Sequence, residues 1–112
     1  MFGFSVRHVT LELEAQLRPR DGGAGRGKVE RKWYADGSEK LTVRTRGLDL
    51  ADGTTVTVYF ANRAVATFDI ARGGGQFRLE SGGNPVPAAA DGESVRVLHD
   101  GTEILSGFFR PD

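Results

Sequence analysis

Apolar and polar residues alternate with a period of two along nearly the whole chain. Across residues 7–17 the odd positions Val9, Leu11, Leu13, Ala15 and Leu17 are apolar, whereas His8, Thr10, Glu12, Glu14 and Gln16 are polar. Successive side chains of a strand point to opposite faces, so this alternation sets one face in a core and the other in water. A helix needs apolar residues at i, i+3, i+4 and i+7, and positions 9, 11, 13 and 17 scatter round such a wheel. The segment predicts a strand of about eleven residues where five or six are usual, long enough for part of it to project past its neighbour.

Seven further strands follow from the same pattern, at residues 28–34, 39–46, 54–60, 65–70, 76–80, 94–99 and 103–109. Val56, Val58 and Phe60 share one face of their strand, and the other carries Thr55, Thr57 and Tyr59, types that suit a pleated surface. Asp36-Gly37, Asp52-Gly53 and Asp100-Gly101 read as tight hairpin turns, because Asp-Gly tolerates the positive φ such turns require. Residues 18–27 form a glycine-rich loop, and residues 81–92 form the longest connection. Short strands with frequent turns and no helical crossover predict one all-β domain over residues 1–112. The expected fold is an antiparallel β-sandwich of seven or eight strands, Greek-key and immunoglobulin-like, with a partly closed β-barrel as the alternative.

The inward phase predicts a core of Val9, Leu11, Leu13, Val29, Trp33, Leu41, Val43, Leu48, Val56, Val58, Phe68, Ile70, Phe77, Leu79, Val95, Val97 and Phe108. Arg31 falls awkwardly between Val29 and Trp33 on that face. In the last strand Ile104, Ser106 and Phe108 are assigned inward, against Leu105 and Phe109.

Composition narrows the chemistry. There is no cysteine, so neither a disulfide nor thiolate catalysis is available. No apolar run approaches the length of a membrane span, and the start shows no signal-peptide pattern, which leaves the compartment open between cytoplasmic and, without a leader, extracellular. Fifteen basic residues balance 15 acidic ones. That balance argues against nucleic acid as a partner, although Arg44, Arg46, Arg63, Arg72, Arg78 and Arg96 lie among Glu30, Glu39, Asp49, Asp69, Glu80 and Glu93 on strands that also bear aromatics.

Candidate sites are few. His8 and His99 sit singly in strands, and a zinc site would need both plus carboxylates from elsewhere. Asp49 and Asp52 lack the spacing of a calcium loop. Glu12 and Glu14 share one outward strand face instead of flanking a cleft, and are expected to pair across to the strand bearing Lys28, Glu30 and Lys32. No nucleophile elbow or phosphate loop is present, so neither catalysis, a metal nor a cofactor is expected; the enzymatic alternative is a hydrolase using His8 or His99 beside a carboxylate.

Gly27-Lys-Val29, Leu41-x-Val43, Gly47-Leu48, Asp52-Gly-Thr-x-Val56-x-Val58 and Gly107-x-Phe109 together give residues 27–109 a pattern similar to small bacterial β-sandwich modules of surface proteins, of the chordin-type (CHRD) kind. The resemblance implies a secreted module. The histidine-bearing stretch of that pattern is missing after Leu48, so no family site residue carries over.

The expectation is therefore a structural or protein-interaction module that pairs with itself or with another protein. Phe2 and Phe4, apolar and uncharged ahead of the first strand, and the tyrosines Tyr34 and Tyr59 form its expected interaction surface. A carbohydrate-binding module using Tyr34 and Tyr59 is the alternative, and a barrel binding single-stranded nucleic acid is a second one.

Overall fold

The computed structural model describes residues 8–82 and 85–112, with the Asp21 side chain left aside. Its strands are β1 (Val9–Leu17), β2 (Arg26–Tyr34), β3 (Glu39–Arg46), β4 (Thr55–Phe60), β5 (Arg63–Asp69), β6 (Gly75–Glu80), β7 (Ser94–His99), β8 (Thr102–Phe108) and the two-residue β9 (Arg110–Pro111). One turn of 3-10 helix, Arg20–Gly22, lies between β1 and β2. The strands form two antiparallel sheets in the orders β6-β3-β2-β1-β9 and β5-β4-β7-β8. The fold is thus the expected sandwich, and the sheets do not close into a barrel. A bridge between Arg18 and Ser106 stitches them at one corner.

Turn chemistry explains the hairpins. Asp100 and Gly101 both take positive φ (48° and 76°), which is the type I′ conformation that joins β7 to β8. Asp36 accepts hydrogen bonds from both the N–H and the hydroxyl of Ser38 and fixes the β2–β3 turn. Asp52-Gly53 is not a hairpin: β3 and β4 belong to different sheets, and the turn carries the chain from one layer to the other. The Asp52 carboxylate there accepts the Arg72 N–H at 2.8 Å.

Leu13, Ala15, Leu17, Val29, Leu41, Val43, Val56, Val58, Phe60, Ile70, Val95, Val97, Leu105 and Phe109 fill the space between the layers. Phe60 and Phe109 meet edge to face, with ring centroids 4.9 Å apart. Four expected core residues lie outside it: Val9, Leu11 and Phe108 are 45%, 48% and 56% exposed, and Leu79, on the edge strand β6, is half-buried. Trp33, Phe68 and Phe77 pack against the core only in part. The inward phase of β8 is the reverse of the expected one. Val97 faces Leu105, a bulge takes up Ile104, and Leu105 and Phe109 point in. Gly107 shows why: a Cβ there would lie 2.2 Å from the Gln16 carbonyl oxygen, so the inward position where β8 crosses β1 admits only glycine. Turned inward, Phe109 delivers the last residues to the edge of the other sheet, where β9 pairs with Leu13 and Glu14.

Arg31 is an inward cation, 1% exposed, in a cross-strand row with Leu13, Leu41 and Leu79. A buried charge is stable only when paired and hydrogen-bonded. Its Nε–H donates to the Pro87 carbonyl (2.8 Å), Nη1 to that of Lys32 (3.2 Å) and Nη2 to Glu39 Oε1 (2.5 Å). The guanidinium also stacks on Trp33, 4.3 Å from the ring centroid. One side chain thereby fastens the long β6–β7 connection over the end of the sandwich.

Candidate interaction surface

The start of β1 runs past the opposite layer. Its inward phase continues to Leu11, whose exposure shows that no second sheet covers it there, while Val9, opposite Tyr34, is turned to the outer face and is exposed as well. A bulge between Val9 and Leu11 offsets the pairing with Trp33 and Tyr34, and the Thr10 hydroxyl donates to the Trp33 carbonyl at 3.1 Å. On the other edge β9 lies beside Leu13 and Glu14 only, ending where the Asp112 N–H donates to the Glu12 carbonyl (3.0 Å). Among the described residues no strand continues that side along residues 9–11. The bulge interrupts the alternation there: the His8 carbonyl accepts the Ala35 N–H at 2.8 Å, so His8, although even-numbered like Glu12, faces β2 and not the open side. Val9 and Leu11 thus stand exposed, one on each face, beside an uncovered length of strand edge, the kind of feature that recruits another chain.

The outer face of the five-stranded sheet is charged. Lys28 Nζ lies 3.5 Å from Glu14, and Lys32 Nζ lies 4.0 Å from Glu12 and 3.8 Å from Glu30, so the expected cross-strand pairs form. Carboxylate oxygens of Glu12, Glu14 and Glu30 come within 4.8 Å of one another, a spacing at which a hard cation can be shared. Lys28 and Lys32 already supply countercharge there. Burial, followed by a carboxyl hydrogen bond with Asp112, raises the Glu12 pKa above the ordinary carboxylate value, against the lowering by Lys32.

The sequence-predicted residues do not converge on one site. Phe2 and Phe4 lie outside the described residues. Tyr34 ends β2 in the five-stranded sheet, opposite Val9, and is half-buried. Tyr59 belongs to the other sheet, half-buried beneath the Arg96 guanidinium at 5.4 Å. Two tyrosines on opposite layers make no common platform for a sugar ring. His99 Nε2 lies 3.6 Å from Asp100 in the β7–β8 turn, on the four-stranded layer, whereas His8 precedes β1 of the other. The exposed end of β1 was legible only as an unusually long alternation, which predicts a projecting strand without showing which residues project. No family model matches this chain, and no curated protein matches it.

Proposed function

We propose that this protein is a non-catalytic interaction module that pairs with a second copy of itself through the open end of β1. The observation that carries the reading is the exposure of Val9 and Leu11 beside an uncovered strand edge. Contact between two copies at this end covers the exposed Val9 and Leu11 of each with apolar surface of the other. The zero net charge leaves little long-range repulsion to hold copies apart. Beyond residue 12 the position beside β1 is occupied by β9, which limits the contact to a closed dimer instead of an open fibre. The likeness to chordin-type modules, which implies a surface-protein role, supports the same class of function.

Light scattering on the intact chain, on Leu11→Lys and on a chain lacking residues 1–5 tests the reading at concentrations of about tens of micromolar. The expected result is a dimer for the intact chain and a monomer for Leu11→Lys with an unchanged melting temperature. A monomeric intact chain overturns it. So does a Leu11→Lys dimer that dissociates only on removal of residues 1–5, because the contact then lies in the segment carrying Phe2 and Phe4.

A further inference from the structure

At the opposite end of the same sheet the charges no longer alternate. Arg18, Arg26, Lys28, Arg44 and Arg46 all hold even positions on β2, β3 and the end of β1, which is the outward phase. The register sets Arg26 directly opposite Arg46, and Lys28 opposite Arg44. Leu17 pairs with Gly27, so the same register continued by one residue brings Arg18 beside Arg26. Among the described side chains, Glu14 is the one carboxylate in ion-pair range of these five, at Lys28. Like charges directly opposite one another destabilise a sheet. Two rows of them, beside a region of the same face where Glu and Lys are paired, form a local conflict that a bound anion relieves.

These cations line a hollow of about 510 Å³ together with Leu17, Gly27 and Thr45. Gln16 and Arg18 also line the adjoining hollow, which reaches Phe108 and Arg110. Phe108 is the exposed aromatic at the end of β8, and the Arg110 guanidinium lies 5.9 Å from its ring centroid. Glu14 and Asp112 line that second hollow too. A track of cations leading to an exposed ring is the arrangement that holds a flexible chain of phosphates and planar bases: the cations follow the backbone, and the ring offers a π-face to one base.

We propose that the outer face of β1–β2–β3, continued to Phe108, binds single-stranded nucleic acid without sequence preference. The balanced composition argues against this only when acids and bases are counted along the chain; the register sorts them to different parts of one face. Arginine at four of the five positions suits bidentate contact with phosphate. The site lies away from the exposed β1 residues Val9 and Leu11, so it stands or falls independently of self-pairing.

The test is fluorescence anisotropy with labelled oligothymidine of about 15 nucleotides, a duplex of equal length and a sulfated oligosaccharide of similar charge. Oligothymidine is expected to bind best, weakening roughly 50-fold between about 50 and 200 mM salt if four phosphates are contacted. The double variant Arg26→Gln/Arg46→Gln is expected to lose at least about tenfold in affinity and about 1.4 in the salt slope, while melting no lower than the parent because two like-charge contacts are gone. Phe108→Ala is expected to lose at least about fivefold for oligothymidine and nothing for the sulfated chain. Equal or tighter binding of the duplex or the sulfated chain overturns the proposal, as does indifference to Phe108→Ala. So does absence of oligothymidine binding at about 50 mM salt.

Discussion

The Arg31 Nε–H donates to the carbonyl of Pro87, 56 residues further along the chain, across 2.8 Å. Glu39 neutralises the same guanidinium, and Trp33 packs against its plane. The long β6–β7 connection brings little apolar surface of its own, with Val86 and Ala89 packed against the core. Its placement therefore leans on polar anchors: Arg63 donates to the Ala88 carbonyl at 3.3 Å, the Gly92 N–H donates to the Phe109 carbonyl at 2.8 Å, and Arg31 is the buried anchor among them.

Removing that anchor should cost more than a surface ion pair does. Arg31→Ala is expected to lower stability by about 3 kcal/mol, the low end for breaking a buried pair because Glu39 keeps part of its hydration. Arg31→Lys should recover little, since a single ammonium cannot reach Pro87, Lys32 and Glu39 in one plane or stack on Trp33. Urea titration followed by the fluorescence of Trp33, the sole tryptophan, measures the loss. Amide exchange should show residues 85–92 opening before the sheets do.

The reversed phase of β8 separates two adjacent phenylalanines. Phe109 is fully buried against Phe60, so Phe109→Ala is expected to cost about 3–5 kcal/mol. Phe108→Ala should change stability by less than about 0.5 kcal/mol, as an exposed side chain does. Equal losses for the two variants would contradict the described phase.

Much of the sandwich was legible because alternation and Asp-Gly turns are local signals. The phase of β8 was not, since Ile104 and Phe108 offer as much apolar surface as Leu105 and Phe109. The deciding signal was Gly107, whose meaning depends on Gln16 passing close by. Alternation likewise assigned Val9 and Leu11 to the inner face without showing where the opposite layer ends. Arg31 looked like a fault in the pattern until the β6–β7 connection supplied its acceptors. The cation rows were hidden for a similar reason: Arg26 and Arg46 are 20 positions apart, and only the register makes them neighbours.

Gly107 yields a second stability prediction. The Cβ of Gly107→Ala would meet backbone at Gln16, which cannot move aside as a flexible side chain can. Overpacking of a core typically costs about 1–3 kcal/mol, and a backbone contact places this variant at or above the upper end. Thermal denaturation of the variant measures it. Gly37→Ala is the control: its Cβ would meet nothing within 4 Å, so any loss there comes from its φ of 85° alone.

Glu12 gives a pH-dependent prediction whose sign follows from its environment. Burial and the neighbouring Asp112 carboxyl raise its folded-state pKa, so the folded protein holds that proton more tightly than the unfolded chain. A raised carboxylate pKa stabilises the fold below the ordinary carboxylate value, and this contribution is lost as pH rises through the folded pKa. At neutral pH the ionised Glu12 is therefore a net burden on the fold, despite Lys32 at 4.0 Å. Glu12→Gln, which keeps the shape and removes the charge, is expected to melt higher than the parent at pH 7. The advantage should shrink as pH falls and vanish once the parent carboxyl is protonated in both states. Melting curves of the two proteins across about pH 3–8 check this. An advantage of the same size at both ends of that range would show that the gain comes from packing, and that the charge of Glu12 is not its cause.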